Sequence, residues 1–180
     1  GNAYSGEHKT AFSIVRYGNV MGSRGSVIPL FLDQKGTGTF TITDKRMTRF
    51  MITLEQGVET VWQSFQDMIG GEIYIPKIPS IKIIDLAEMI APKNKLKFIG
   101  IRPGEKLHEE MISKDDAPQT FEYKSFYKIL PLINEWNFSK KRIKNGIKVL
   151  EGFSYTSDNN KKWMNKRQIL QWIELNKDKK

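Results

Sequence analysis

A glycine-rich loop near the start of the sequence has the composition of a phosphate-binding loop. Residues 16–29 read RYGNVMGSRGSVIP, and the apolar run before them predicts a buried strand. In α/β sheets, ligands bind just outside the carboxyl ends of such strands. Glycines let the backbone approach an anion closely, a following helix N-terminus offers free N–H groups, and Arg24 can add a bidentate contact. Both a phosphate site and an ordinary loop without a ligand are compatible with this pattern.

A second segment, residues 41–50 (TITDKRMTRF), gathers three basic side chains and one acidic side chain at the end of a predicted strand. The basic residues are Lys45, Arg46 and Arg49, and the acid is Asp44. Such a group can clamp a diphosphate, because guanidinium groups bind phosphate oxygens in pairs. The alternative is a solvated turn whose charges only face water.

A third segment, residues 100–109 (GIRPGEKLHE), combines a tight turn with charge. Its Pro-Gly pair predicts a sharp turn that holds Arg102 and Glu105 near each other at the start of a helix. Arginine suits phosphate recognition, and a carboxylate accepts hydrogen bonds from the hydroxyls of a sugar or a ribose. His108 is interpreted as a structural or surface residue. The sequence has two histidines and no metal-ligand spacing, so we expect no metal site.

The elements that must position these segments alternate between strands and helices. The sequence predicts strands over residues 11–17, 39–43, 72–76, 96–101 and 125–130, and helices over residues 27–32, 53–68, 80–90, 105–112 and 165–175. Thr53 and Gln56 form a capping box, and the helix after them carries an apolar face of Leu54, Val58, Val61, Trp62 and Phe65. Ser80 is predicted to cap the next helix. This order indicates an α/β fold in which a mixed sheet is possible.

The net charge of +9 is concentrated near the end of the 180-residue chain. Residues 1–138 are almost neutral, whereas residues 139–180 hold 12 Lys/Arg and 4 Asp/Glu. We therefore distinguish a first region, 1–138, from a basic C-terminal extension, 139–180, that ends in a helix. The extension is either a solvated lysine-rich tail or a phosphate-tracking surface in which Trp136, Trp163 and Trp172 interleave with lysines. Helical spacing of Ile169, Leu170, Trp172 and Ile173 favours a docking face, so nucleic acid is not the expected partner.

Composition also bounds the compartment. The sequence has no cysteine, which excludes disulfides and thiolate metal sites. It has no apolar run of the roughly 20 residues that span a bilayer, and its first residues show no signal-peptide pattern. We expect a cytoplasmic protein without a membrane span.

Five ordered motifs resemble one family. They are Val15–Pro29, Ile42–Val58, Gly71–Pro92, Gly100–Met111 and Phe153–Met164. Together they are similar to the C-terminal, substrate-binding part of the extended short-chain dehydrogenase/reductases of bacterial polysaccharide biosynthesis, above all the inverting UDP-N-acetylglucosamine 4,6-dehydratases and their capsule-synthesis relatives. The resemblance implies the C-terminal portion of an extended Rossmann-type fold with a small α/β substrate-binding domain. Residues 1–138 would then hold the substrate-binding region and the last strands of the nucleotide-binding sheet.

The resemblance also implies roles for single residues. Tyr17 and Val20 would contact the cofactor, with Val20 beside the nicotinamide, and Asn19 would hydrogen-bond the substrate. The helix that faces the nucleotide sugar would start at Arg24, Gly25, Ser26 and Val27. The uracil would lie along Thr39 and Thr41, the diphosphate would be held by Arg49 and Arg102, and the uridine ribose by Glu105.

Two family motifs are missing from these 180 residues. No tyrosine is followed four residues later by lysine, and no glycine triplet has the dinucleotide spacing. We therefore assign no catalytic residue and expect this chain to be inactive alone. In the longer enzyme the resemblance implies NADP, oxidation at sugar C4, loss of water across C5–C6 and return of hydride to C6. It also implies a UDP-sugar substrate and a homo-oligomer. The alternatives are a UDP-sugar 4-epimerase of the same superfamily and a basic interaction module without catalysis.

Overall fold

The computed structural model describes residues 10–131 and 140–176. The chain forms two compact units, each assembled from three separate stretches of sequence. The first unit comprises residues 1–17, 53–77 and 110–155, and the second comprises residues 18–52, 78–109 and 156–180. The boundary at residue 138, which the charge distribution indicated, stays a prediction.

Helices and short strands alternate along the chain. The helices are α1 (Val27–Gln34), α2 (Leu54–Asp67), α3 (Ile83–Ile90), α4 (Lys140–Ile143) and α5 (Lys166–Leu175). The strands are β1 (Ile14–Val15), β2 (Asn19–Val20), β3 (Thr39–Ile42), β4 (Thr48–Ile52), β5 (Ile73–Pro76), β6 (Ser80–Lys82), β7 (Lys95–Phe98), β8 (Glu110–Ile112), β9 (Thr120–Glu122), β10 (Phe126–Ile129), β11 (Ile147–Lys148) and β12 (Tyr155–Thr156). None of the helices in the described part of the chain is long and apolar enough to cross a membrane.

The first unit is built on a five-stranded mixed sheet. Its strand order is β1-β5-β10-β9-β11. β1 runs parallel to β5, with Ile14 opposite Ile73, whereas β10 is antiparallel to both β5 and β9. The predicted strand over residues 11–17 is shorter than expected, because only Ile14–Val15 find partners on β5. The predicted mixed α/β arrangement is confirmed.

A buried ion pair in the first unit joins Glu72, the residue before β5, to Arg142 of α4. The side chains of Glu72 and Arg142 are each 1% exposed, and Arg142 Nη1 lies 2.7 Å from Glu72 Oε1. The Glu72 carboxylate also accepts from Ser13 Oγ (2.9 Å) and from the amide of Gly70 (2.8 Å). Charges that are removed from water in this way are tolerated only when hydrogen bonds surround them.

A second charged pair lies in the same unit. The Lys128 ammonium, with a side chain 2% exposed, donates to Asp67 Oδ2 at 2.7 Å. Tyr74 donates to the same carboxylate oxygen at 2.9 Å, and Lys144 also contacts Asp67. Burial alone would raise the pKa of Asp67, but the hydrogen bonds from Lys128 and Lys144 hold that pKa below its usual range. The carboxylate therefore stays ionised in the folded protein.

The second unit has its own sheets and its own core. β2 is parallel to β4, β4 is antiparallel to β6, and β3 forms a separate parallel pair with β7. Phe31 of α1 and Phe40 of β3 touch with ring centroids 4.9 Å apart inside the core. Ile169 of α5 is fully buried, and Trp172 and Ile173 pack against the same cluster. The docking face predicted for this helix is thus confirmed, except that Leu170 is exposed.

Helix α2 forms as predicted, but its apolar face is not covered. Thr53 and Gln56 make both hydrogen bonds of the capping box. The five apolar residues of the predicted face are 48–65% exposed: Leu54, Val58, Val61, Trp62 and Phe65. We define these five residues as the α2 stripe. None of the described residues covers the α2 stripe.

Two predicted helices are corrected. Ser80 does not cap a helix: it begins β6, is fully buried, and pairs with Phe50 of β4, so α3 starts only at Ile83. Residues 105–112 are not helical either. Their amide and carbonyl groups bind β4 and the segment near residue 157, and the last three residues form β8. In both places tertiary strand pairing overrides the local sequence preference.

Candidate functional site

The site begins with Arg49 on strand β4. This side chain is 12% exposed, so its guanidinium group is largely removed from solvent. Its Nη1 donates to the carbonyl oxygens of Thr48 (2.7 Å) and Leu107 (3.2 Å). The strand places the arginine, and two backbone carbonyls fix its direction.

Carboxylates from the 100–109 loop face the same guanidinium. Glu105 Oε1 lies 3.7 Å from Arg49 Nη2, and Glu109 Oε1 lies 3.9 Å from Arg49 Nε. The backbone amide of Arg102 donates to Glu105 Oε2 at 3.4 Å, while the Arg102 residue is exposed. The structure therefore brings two residues predicted from the sequence together, Arg49 and Glu105, and Glu105 in turn accepts from the backbone of Arg102.

Hydrogen bonds hold the 100–109 loop in place at both ends, within the second unit. At its start, the amide of Gly100 donates to Thr43 O (3.1 Å), and Thr43 Oγ1 lies 3.5 Å from Glu105 Oε1. In the middle, Gly104 adopts a φ of 80°, which favours glycine, and the Glu105 amide closes a turn on Arg102 O. The predicted Pro-Gly turn is confirmed, although no helix follows it.

At the end of the loop, a hydroxyl network anchors His108. Its Nδ1 lies 2.8 Å from Thr48 Oγ1, which lies 2.6 Å from Ser157 Oγ. Asp158 Oδ2 is 4.0 Å from His108 Nε2. Thr48 and Ser157 are buried, so neither hydroxyl can reach a substrate as a nucleophile. These contacts agree with the interpretation of His108 as a structural residue.

Glu109 was not predicted as a site residue. Its Oε2 accepts from the amide of Phe50 at 2.8 Å, and its own amide donates to Ser157 Oγ at 2.9 Å. Burial raises the pKa of Glu109, and the hydrogen bond from Phe50 and the charge of Arg49 counteract that rise. No signal in the sequence pointed to it, because its partners, Phe50 and Ser157, are distant along the chain.

The glycine-rich loop lies in the same unit. Asn19 and Val20 form β2 and pair with Met51 and Ile52, so Asn19 and Arg49 stand on neighbouring strands. A Cβ at Gly18 would lie 2.7 Å from the carbonyl oxygen of Phe50, so only glycine fits there. The loop thus packs directly against the strand that carries the arginine.

The end of this loop opens helix α1. Gly25 has a φ of 76° and open space around it, and Arg24 is exposed. Ser26 is the N-cap residue of α1, yet it makes no capping hydrogen bond, and its buried Oγ has no partner among the described residues. The Ser26 amide donates to Ser23 O at 3.0 Å and Pro29 has no N–H, so the amides of Val27 and Ile28 are the N–H groups at the start of α1 that a ligand acceptor can take.

The other predicted residues are not all brought to this cluster. Thr39 and Thr41 lie on β3, and the amide of Thr41 donates to Gln34 Oε1 at 3.0 Å. Tyr17 belongs to the first unit. The structure shows no hydrogen bond between either of the two threonines and Arg49 or Glu105.

The basic turn after β3 contains a solvated ion pair between Arg46 and Asp44. Arg46 binds both oxygens of Asp44, at 3.0 and 2.9 Å, and its side chain is 62% exposed. The hydrogen bond from Arg46 lowers the pKa of Asp44 to about 2. Of the three basic residues in this segment, Arg49 alone joins the carboxylates of the loop, so the alternative of a solvated turn holds for Arg46.

Comparisons with known proteins agree with the resemblance in sequence. The chain is 51% identical to a UDP-N-acetylglucosamine 4,6-dehydratase (inverting) of Campylobacter jejuni, over 96% of this chain and 54% of that protein. It is 38% identical to a UDP-glucose 4-epimerase of Rickettsia akari, over 86% of this chain and 47% of that protein. The crystal structure of Pen from Bacillus thuringiensis superimposes with a TM-score of 0.81 at 34% identity, over 98% of this chain and 53% of Pen.

Two conclusions follow from these matches. The predicted fold, the C-terminal portion of an extended Rossmann-type α/β fold, is confirmed. The chain spans about half the length of the curated relatives it matches. A family model described as polysaccharide biosynthesis protein matches residues 1–131. The chain therefore belongs to this polysaccharide biosynthesis family.

Proposed function

We propose that this chain binds the nucleotide-sugar substrate in an inverting UDP-N-acetylglucosamine 4,6-dehydratase, a lyase. The observation that carries the proposal is the convergence of Arg49, Glu105 and the Arg102 loop within one unit. The 51% identity to a dehydratase of that description supports it. A guanidinium beside a hydroxyl-accepting carboxylate suits a diphosphate that is joined to a ribose.

Each part of the substrate has candidate partners in the chain. Arg49 and Arg102 would bind the diphosphate, and each charge-assisted contact contributes about 1.5–3 kcal/mol. Glu105 would accept from the ribose hydroxyls. The proposal assigns the sugar to Asn19 and to the α1 opening of Arg24, Gly25, Ser26 and Val27, and the uracil to Thr39 and Thr41. The unpartnered Ser26 Oγ supports a ligand at that opening.

The residues present fit only one end of NADP. The family's glycine-rich turn for the dinucleotide phosphates does not occur in these 180 residues. Tyr17 and Val20 are proposed to contact the nicotinamide end. When bound in the longer enzyme, NADP supplies the hydride acceptor at the sugar.

This chain's own contribution is binding and orientation. It holds no tyrosine–lysine pair at the family spacing that could move a proton from the sugar hydroxyl. We therefore propose that it orients the sugar for removal of water across C5–C6 and has no turnover alone. The proposal also includes a cytoplasmic location, a homo-oligomer and a role in surface polysaccharide or capsule synthesis.

Calorimetry with UDP tests the proposal. We expect the chain to bind UDP more tightly than ADP at moderate salt. Arg102→Ala should weaken UDP at least tenfold, and Arg102→Lys about tenfold, because lysine keeps the charge and loses the planar fork. Arg46→Ala is the matched control, since Arg46 is exposed and engaged with Asp44. Equal affinity for UDP in the unchanged chain and in Arg102→Ala would remove this loop from the site.

The epimerase relatives favour a second candidate, a UDP-sugar 4-epimerase. Binding of UDP-N-acetylglucosamine, UDP-glucose and UDP-galactose separates the two. A dehydratase part should prefer the acetamido sugar, whereas an epimerase part should bind the two hexoses about equally. A basic interaction module would instead bind any polyanion with a steep salt dependence. The buried position of Ile169 in α5 argues against that module, because the apolar face of the helix is used in folding.

A further inference from the structure

The two carboxylates that face Arg49 are held very differently. Glu105 has only long contacts, at 3.4 and 3.5 Å, to the Arg102 amide and to Thr43 Oγ1. Glu109 has short ones: its Oε2 binds the Phe50 amide at 2.8 Å. Glu105 is therefore free to exchange partners, whereas Glu109 is fixed.

The backbone of Glu109 is fixed as well. Its amide donates to Ser157 Oγ at 2.9 Å, and its carbonyl accepts from the Ser157 amide at 2.8 Å. Ser157 is fully buried and lies 2.6 Å from Thr48 Oγ1. Glu109 is thus connected to both neighbours of Arg49 on β4. It reaches the Thr48 hydroxyl through Ser157 and binds the Phe50 amide directly.

We propose that Glu109 is a positioning residue for Arg49. It binds the amide that follows the arginine and places a carboxylate oxygen 3.9 Å from Nε. With Glu109 facing Nε and Nη1 bound to carbonyls, Nη2 is the end of the guanidinium that a phosphate takes when Glu105, 3.7 Å away, exchanges partners. The inference rests on the proposed function, in which Arg49 binds the diphosphate.

The sign of one mutational effect separates positioning from plain electrostatics. Removing a negative charge next to an anion site should strengthen anion binding if Glu109 acts only through its charge. Glu109→Gln keeps an oxygen for the Phe50 amide but turns an NH₂ group toward Arg49 Nε, a donor facing a donor. Positioning therefore predicts weaker binding.

The experiment is calorimetry of the full 180-residue chain with UDP. We expect Glu109→Gln to bind UDP about tenfold more weakly, the scale of one charge-assisted hydrogen bond. Glu109→Asp keeps the charge and shortens the side chain beyond reach of the Phe50 amide, so it should also weaken UDP. Glu110→Gln is the control, because this neighbour is exposed, and it should leave the affinity unchanged.

Amide spectra supply a readout that does not depend on the ligand. The Phe50 amide shift should follow the titration of Glu109 in the unchanged chain and lose that titration in Glu109→Gln. Unchanged or tighter UDP binding by both Glu109 variants, in a chain that itself binds UDP, would overturn the positioning role alone. Failure of the unchanged chain to bind UDP would overturn the proposed function together with it. If Glu109→Gln does not fold, Glu109→Asp decides between the outcomes.

Discussion

Replacing Glu105 with glutamine should change the affinities for pyrophosphate and for UDP in opposite directions. In the structure Glu105 neutralises Arg49 across 3.7 Å, too far for a hydrogen bond, so the attraction is Coulombic. Any anion that approaches Arg49 must therefore separate this pair. UDP compensates Glu105 with ribose hydroxyls, whereas inorganic pyrophosphate brings none.

The magnitude follows from the distance and the exposure of the pair. Two unit charges at about 4 Å attract by about 1 kcal/mol in water and about 4 kcal/mol at an effective dielectric constant of about 20. Arg49 is largely buried, but Glu105 is 28% exposed, so solvent reaches one side of the pair and the lower end applies. Removing about 1 kcal/mol of competition should strengthen pyrophosphate binding roughly fivefold. For UDP the same gain is outweighed by the loss of charge-assisted bonds to the ribose, about 1.5–3 kcal/mol.

Parallel titrations of both ligands at one ionic strength measure the two effects. Glu110→Gln serves as the control for a loss of negative charge without a change at the site. If Glu105→Gln shifts UDP and pyrophosphate in the same direction, Glu105 does not exchange partners, and the reasoning is refuted. The changes in affinity caused by Glu105→Gln should become smaller as the salt concentration rises, since partly exposed charges are screened.

Three further outcomes are expected. Glu72→Gln leaves Arg142 buried without its carboxylate and should lower the free energy of unfolding by about 3–5 kcal/mol in urea titrations. Adding Arg142→Met should restore part of the lost stability, and a loss below about 1 kcal/mol in Glu72→Gln would show that the pair is solvated. The pKa of Asp67 is lower in the folded chain than in the unfolded chain, so its contribution to the free energy of unfolding is present above pH 3.8 and is lost as the pH falls toward the folded value. Asp67→Asn should therefore flatten the pH dependence of the free energy of unfolding in acid, and an unchanged pH dependence would contradict this role of Asp67. The exposed α2 stripe should drive self-association measurable by light scattering, and Trp62→Glu should reduce it; a chain that stays monomeric at high concentration would argue against a homo-oligomer through this face.

Local sequence patterns predicted the parts of the site that depend on residue type. Arginine and glutamate around a Pro-Gly turn indicated a diphosphate and a hydroxyl acceptor; these roles stay predictions, while the structure forms the turn and places Glu105 3.7 Å from Arg49. The helical spacing around Ile169 likewise indicated a face that docks, and it does. The turn and the docking face could be predicted because short-range geometry determines them.

Features that depend on distant parts of the chain escaped prediction. Ser80 looked like a helix cap because nothing in its neighbourhood shows that Phe50, thirty residues earlier, pairs with it. Glu109 was missed for the same reason, since its partners lie on β4 and at Ser157. Periodicity identified α2 as a helix but carries no information on what its apolar stripe contacts. Strand pairing across long stretches of sequence is the missing information in each case.

The interleaving of the two units has a consequence for how the chain reaches its native state. The backbone passes from one unit to the other five times, so neither unit corresponds to a continuous fragment. Neither unit can be completed during synthesis before residues beyond 140 have emerged, because Ile169 closes one core and Arg142 neutralises Glu72 in the other. Partners this far apart in sequence impose a large loop-closure entropy on the folding transition state. Slow refolding should follow, with partly assembled intermediates that expose apolar surface and depend on chaperones in the cell.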